Sequence, residues 1–347
     1  MKVFISPPAS DSYFSGVRSM LGPLALSALG WMGGCQRDEG FSPSVTAAAI
    51  AAGSEVSASL VAGHIQELVK VRQTESPVAS TLWGGQPLRR LQAAAYIDSY
   101  LTSLGLRPVH ERESRNEIDT ENLYVDLPAR PGSGKESGYV LVTGHYDNWH
   151  LGADDNASAI AVMLEAARVL RTKSLSRTVR IIAFDREEEG LIGSDRYARA
   201  HQGEQISAMV NMDCVGYLSK KPGSQSAPPG LGLRSVGDFL AIIASEPSAS
   251  MLSSITRLST QLPSPVSVLG LTAPADGHNA AAAAFLRSDH APFWRQGVRS
   301  LFLTDTADFR NPNYHKASDL PETIDTDFLA RNAQLVVAAA LALAEED

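Results

Sequence analysis

Three strand-like, mostly apolar runs, each leading into an imidazole or a carboxylate, constrain this chain most. Tyr139–Thr143 runs into Gly144-His145-Tyr146-Asp147, Val179–Phe184 is followed by Glu187-Glu188-Glu189, and Ala208–Met212 runs into Asp213. The first, Tyr139–Thr143, is a continuous apolar run, as expected of a central strand covered on both faces. Between the first two, Ile160, Met163, Leu164, Ala167 and Leu170 recur at helical spacing and predict a helix over about 157–170. Another helix is expected from about Leu191 to Ala200. Strand, helix, strand, helix, strand is the order of an α/β sheet with crossover helices. Ligands of such a sheet bind outside the carboxyl ends of its strands, which is where these polar residues stand.

The flanks add elements. Apolar spacing predicts helices over Val61–Arg72 and Leu91–Leu104, the second ended by Gly105. Asn122–Leu127 alternates like a half-buried strand, and Val298–Thr304 reads as the last strong one. A helix is expected over Gly237–Ser245 and a terminal amphipathic helix over Phe328–Ala344. Residues 219–232 and the Pro-rich 259–277 read as loops.

Five stretches carry metal-type ligands: Gly144-His145-Tyr146-Asp147, Gly152-Ala153-Asp154-Asp155-Asn156, Glu187-Glu188-Glu189-Gly190, Asn211-Met212-Asp213 and Asn313-Tyr314-His315. Singly each has a bland reading: Asp154-Asp155-Asn156 as a helix cap, the Glu run as a solvated face. Jointly, two His, two Asp and a Glu with no thiolate suit zinc, with cobalt or manganese as substitutes. A carboxylate can bridge two ions, and a neighbouring carboxylate outside the ligand set can move protons.

These motifs, in this order and spacing, resemble the co-catalytic di-zinc exopeptidase family. That family includes bacterial leucyl aminopeptidases, glutamate carboxypeptidases, glutaminyl cyclases and the inactive transferrin receptor. The resemblance runs from about residue 60 to the C-terminus. It implies one α/β domain with a mostly parallel mixed central sheet and helices on both faces. It implies two zinc ions, one held by His145, Asp155 and Asp213, the other by Asp155, Glu188 and His315, with Asp155 shared. Counting back from Gly190 makes Glu187 the general base and leaves Glu189 as a spacer. Asp147 would orient His145, and Tyr314 would reach the substrate oxyanion. Ser288-Asp289-His290 matches a recurring segment near the site, with His290 supporting it by hydrogen bonds; His150 is expected at the rim. The implied activity is removal of N-terminal residues from peptides by metal-activated water attack. A carboxypeptidase remains open, with Arg287, Arg295 or Arg310 to hold a carboxylate. So do a glutaminyl cyclase and a non-catalytic binding domain.

A net charge of −8 without a Lys/Arg run argues against a nucleic-acid partner. The two cysteines, Cys35 and Cys214, lie in contexts too different to expect a disulfide, and Cys214 reads as a small packing residue. Arg18, an apolar run to Met32 and Gly33-Gly34-Cys35 follow signal-peptide order and resemble a lipoprotein cleavage site. The expected organisation is a leader over 1–35, a linker over 36–55 and the catalytic domain over 56–347. The expected location is periplasmic or extracellular, with membrane attachment only through a lipidated Cys35. Substrate preference and oligomeric state are not legible.

Overall fold

The structure, a computed structural model, describes residues 40–73, 86–228, 231–273 and 280–346; the leader and Cys35 lie outside them. The strands are β1 (Val109–Arg115), β2 (Ile118–Leu127), β3 (Gly138–His145), β4 (Thr178–Phe184), β5 (Gln205–Met212), β6 (Leu240–Ala244), β7 (Val268–Thr272) and β8 (Ser300–Thr304). They form a single sheet in the order β1-β2-β4-β3-β5-β8-β6-β7. The middle strands β4, β3, β5 and β8 are parallel. The β1–β2 hairpin joins antiparallel to β4, while β6 pairs antiparallel with β8 and parallel with β7.

The helices are α1 (Pro43–Gly53), α2 (Ala58–Arg72), α3 (Gln86–Ser103), α4 (Ala159–Leu170), α5 (Ile192–Ala200), α6 (Ala249–Ser259), α7 (His290–Trp294) and α8 (Thr326–Glu345). The strand pleat sends alternate residues to opposite layers. Val140, Val142, Val179, Ile181 and Val210 pack with Ile160 and Leu164 of α4 and Val336 and Leu343 of α8. Leu141, Ile182, Phe184 and Met209 pack with Tyr197 of α5 and Phe293 of α7. Both faces of the middle strands are therefore covered, which is why β3 reads as a continuous apolar run; buried polar exceptions include Arg180 of β4, paired with Asp126 at 2.6 Å, and Asn211 of β5, which accepts from Thr143 Oγ1 at 2.7 Å. Helix α8 is apolar around most of its circumference because it too is mostly buried.

Three expectations need correction. The stretch read as a linker over 36–55 contains α1. Ser42 caps it by accepting from Val45 N at 3.3 Å, and Pro43 opens its first turn. Its small residues are a contact face: a Cβ on Gly53 would lie 2.7 Å from the Gln334 carbonyl of α8, so glycine lets the two helices meet. The helix expected over 237–245 is instead strand β6, followed by α6. Leu240, Ile242 and Ala244 face one core and Ala241 and Ile243 another, and so short an apolar run has no period to identify it. The loop expected over 259–277 contains β7, at the sheet edge. The polar strand β1 (VHERESR) carried no apolar signal; it is an exposed edge strand and takes its conformation from pairing with β2.

Candidate metal centre

The parallel strands bring their carboxyl ends to one place. His145 is the last residue of β3, Asp213 follows β5, and Glu187 and Glu188 follow β4 after a short turn. Asp155 arrives on a tight turn over Ala153–Ser158 that opens α4. Gly152 makes that turn with φ 57°; a Cβ there would meet the Asp155 carbonyl at 2.2 Å. His315 comes from the segment after β8.

The two carboxylate oxygens of Asp155 face different histidines. His145 Nε2 lies 3.4 Å from Asp155 Oδ1 and 3.6 Å from Asp213 Oδ1. His315 Nε2 lies 3.0 Å from Asp155 Oδ2 and 3.1 Å from Glu188 Oε2. Potential ligand atoms of His145, Asp155 and Asp213 fall within 4.8 Å of one another, as do those of Asp155, Glu188 and His315. A third grouping, His145 with Glu187 and Glu188, meets the same distance.

Buried polar atoms ordinarily find hydrogen bonds. His145 Nε2, Asp155 Oδ2, Glu188 Oε1 and His315 Nε2 are buried without one. These four lie within the clusters; other buried atoms without a hydrogen bond, such as His64 Nε2, lie elsewhere. Burial lifts Glu188 to about 8, and it lifts Glu187 well above the carboxylate range. Burial alone would lower the histidines. The Glu187 and Asp213 charges overcome it to raise His145, and Asp155 and Glu188 raise His315 to about 10. Burial would likewise raise Asp155, but His145 and His315 hold it below its usual range. Without a metal the cluster draws protons onto its imidazoles. It thus has a demand for positive charge, and the imidazole and carboxylate donors suit a divalent zinc.

The surroundings hold these side chains in place. His145 Nδ1 lies 3.1 Å from the Asp147 carbonyl, which leaves Nε2 for the cluster. Asp147 Oδ1 and Oδ2 accept from Glu187 N and Glu188 N at 3.0 and 3.1 Å. Asp154 turns away, accepting from Gly216 N at 2.9 Å and Asn311 Nδ2 at 2.7 Å. Glu189 is exposed and paired with Arg186 at 2.6 Å, outside the clusters. Tyr314 stacks on His315 with ring centroids 3.8 Å apart and accepts from Arg287 Nη2 at 3.3 Å. Burial raises its phenol, so it stays a donor. His150 is exposed and outside the clusters. His290 is buried, with Nε2 2.7 Å from the Phe285 carbonyl and its ring stacked on Phe302. Cys214 is fully buried.

Three contributions were not assigned from the sequence, which offered Asn156 only as a helix cap. Asp319 accepts from Asp154 N at 2.9 Å and Asp155 N at 3.1 Å, fixing the turn that presents Asp155. Asn156 links that turn to β5, donating to the Met212 carbonyl at 3.2 Å and accepting from Cys214 N at 3.2 Å. Arg72, fully buried on α2, donates to the carbonyls of Tyr146, Leu151 and Gly152 at 3.0, 3.0 and 2.8 Å. A sequence shows these as a helix-face arginine and two loop residues.

Beside Asp213 and Tyr314 lies a pocket walled by Leu231, Ile243, Leu271, Phe285 and Phe302, among others. Arg287 and Asp308 line it and pair at 2.9 Å. Arg310 does not line it; it is buried against the Gln225 side chain and the Phe239 carbonyl. Arg295 is exposed at the end of α7.

Residues 122–340 match the model of peptidase family M28. YfbL of Escherichia coli is 26% identical over 265 residues, covering 69% of this chain and 76% of that protein. The LapA aminopeptidase structure of Legionella pneumophila superposes with a TM-score of 0.64 at 17% identity, over 93% of this chain and 80% of that one, and shows the shared fold. The zinc aminopeptidase BSAP of Bacillus subtilis superposes with a TM-score of 0.50 at 25% identity, over 65% of this chain and 51% of that one.

Proposed function

The chain belongs to peptidase family M28, and on that premise we propose that it is a zinc-dependent aminopeptidase binding two metal ions. One observation carries the reading: Asp155 presents one oxygen to His145 and Asp213 and the other to Glu188 and His315. The first position would be held by His145, Asp155 and Asp213, the second by Asp155, Glu188 and His315. Zinc bound there supplies Lewis acidity toward a peptide carbonyl and toward water.

The remaining work falls to the chain's own side chains. Glu187, buried and 3.9 Å from His145 Nε2, takes the proton of the attacking water on a carboxylate oxygen and returns it to the leaving nitrogen. Asp147 fixes the backbone of Glu187 and Glu188 together, so base and ligand keep their spacing. In this reading the Tyr314 hydroxyl donates to the oxygen of the scissile carbonyl as charge develops there.

The cavity favours an aminopeptidase over a carboxypeptidase. A carboxypeptidase needs a cation committed to the substrate carboxylate. Among the described residues lining the cavity, Arg287 is the one cation, and it is engaged by Asp308. Export with acylation of Cys35 belongs to the same proposal; Cys35→Ala should move the protein from the membrane to the soluble fraction. The activity test is a panel of free aminoacyl, N-blocked aminoacyl and C-terminal peptide substrates, with and without chelator. Chelator-sensitive cleavage that requires a free N-terminus supports the aminopeptidase. Cleavage of N-blocked peptides with a free carboxylate overturns it in favour of a carboxypeptidase.

A further inference from the structure

One side chain outside the ligand set touches both residues that distinguish the second metal position from the first. Trp149 Nε1 donates to Glu188 Oε2 at 2.7 Å. Its ring also lies against His315, with centroids 5.5 Å apart and planes tilted by 41°. Indole is a donor with no acceptor, so Glu188 Oε2 is the accepting oxygen and its carboxylate is held facing the ring.

Trp149 is itself held. It stands in the loop between His145 and Asp155, whose Tyr146, Leu151 and Gly152 carbonyls are gripped by Arg72. Asn148 Nδ2 closes the loop on the His150 carbonyl at 2.6 Å. At the other position His145 is oriented by the Asp147 carbonyl and needs no indole. The two positions therefore depend on different supports, although they share Asp155.

We propose that Trp149 is a positioning residue for the Asp155–Glu188–His315 position alone, setting its metal affinity separately from that of His145–Asp155–Asp213. Its N–H holds the Glu188 carboxylate in one orientation, and its ring limits rotation of the His315 imidazole. Groups that orient a ligand from behind in this way change metal affinity by roughly 10- to 100-fold. The inference rests on the two-metal reading above.

The test is a zinc titration against a competing chromophoric chelator, on the full chain. Trp149→Phe keeps a ring beside His315 and removes the N–H. Glu188→Ala identifies which equivalent belongs to the Glu188 position. In Trp149→Phe that same equivalent should weaken by roughly 10- to 100-fold while the other is unchanged. A Trp149→Phe titration that matches the wild type, or in which both equivalents weaken alike, overturns the inference and leaves two-metal binding standing. A wild type that takes up a single equivalent overturns the two-metal reading, and the inference with it. A second readout needs no variant: with ¹⁵N-labelled tryptophan in the wild type, one indole N–H signal should move with the Glu188 equivalent. A spectrum in which no indole signal follows it also overturns the inference.

Discussion

Replacing Arg72 by Met tests how the metal loops are held. The guanidinium is 1% exposed and donates three hydrogen bonds to backbone carbonyls of the 146–152 loop. Hydrogen bonds from a charged donor contribute about 2 kcal/mol each, so their loss removes about 6 kcal/mol. Burial opposes this: it lowers the Arg72 pKa from 12.5 to about 10, and 2.5 units correspond to about 3 kcal/mol of penalty that Met does not carry. Met also roughly fills the side-chain stem. The net loss is then about 3 kcal/mol. For a unit spanning residues 38–347 this is a fall in Tm of about 5 °C. Calorimetry should be run on zinc-depleted protein, because bound zinc adds its own stabilisation. Arg72→Lys keeps the charge but cannot span carbonyls on both sides, and should recover only part of the loss. A metal-free Arg72→Met protein that melts within about 1 °C of the parent would refute the brace and this arithmetic.

Other outcomes follow from the same geometry. Glu187→Gln should lower turnover by roughly 10²- to 10⁴-fold and keep its zinc, whereas Glu188→Ala should lose zinc and Glu189→Gln should behave as wild type; an active Glu187→Gln with an inactive Glu189→Gln would shift the register of the motif by two residues. His64, far in sequence from the metal motifs, is lowered to about 4, first by burial and then by the Arg168 charge. Between that value and 6.5 the unfolded chain holds the extra proton, so stability should fall as pH drops from 6.5 toward 4, by about 3 kcal/mol in all; denaturation midpoints across this window should be flatter in His64→Phe, and an unchanged slope would count against it. Gly53→Ala ought to gain about 1 kcal/mol of helix propensity, but its Cβ would press on the Gln334 carbonyl, so a net loss is expected; Gly63→Ala, with no atom near its Cβ, should show the uncompensated gain. Urea melts of the two variants compare these directly, and stabilisation by Gly53→Ala would mean that α1 does not seat on α8.

The motifs whose side chains meet at the strand ends were legible because their placement is local. His145 and Asp213 each sit directly at the end of a strand whose apolar run is unmistakable, and parallel strands deliver their carboxyl ends to a common edge. The same logic carried the doubly covered sheet and the long helices α4 and α8. Legibility failed where the determining contact was remote. β6 is a strand because it is inserted between β7 and β8, and β1 because β2 offers it an edge. Neither neighbour can be read from the five or seven residues concerned. The 43–53 helix looked like a linker because its small residues, meant for close packing on α8, are also the residues of flexible segments.

The chain by itself determined which groups could meet a metal and in what order, since strand ends and tight turns dictate where a side chain starts. The tertiary structure decided which oxygen of Asp155 faces which histidine, and that Glu189 turns outward to Arg186. It also decided that Arg72, Asp319 and Trp149, distant in sequence or silent in pattern, brace the loops and side chains of these clusters. The physical reason is range. Backbone conformation and hydrophobic period act over a few residues, whereas hydrogen bonds between loops and the burial of charge exist only once the sheet has brought those loops together.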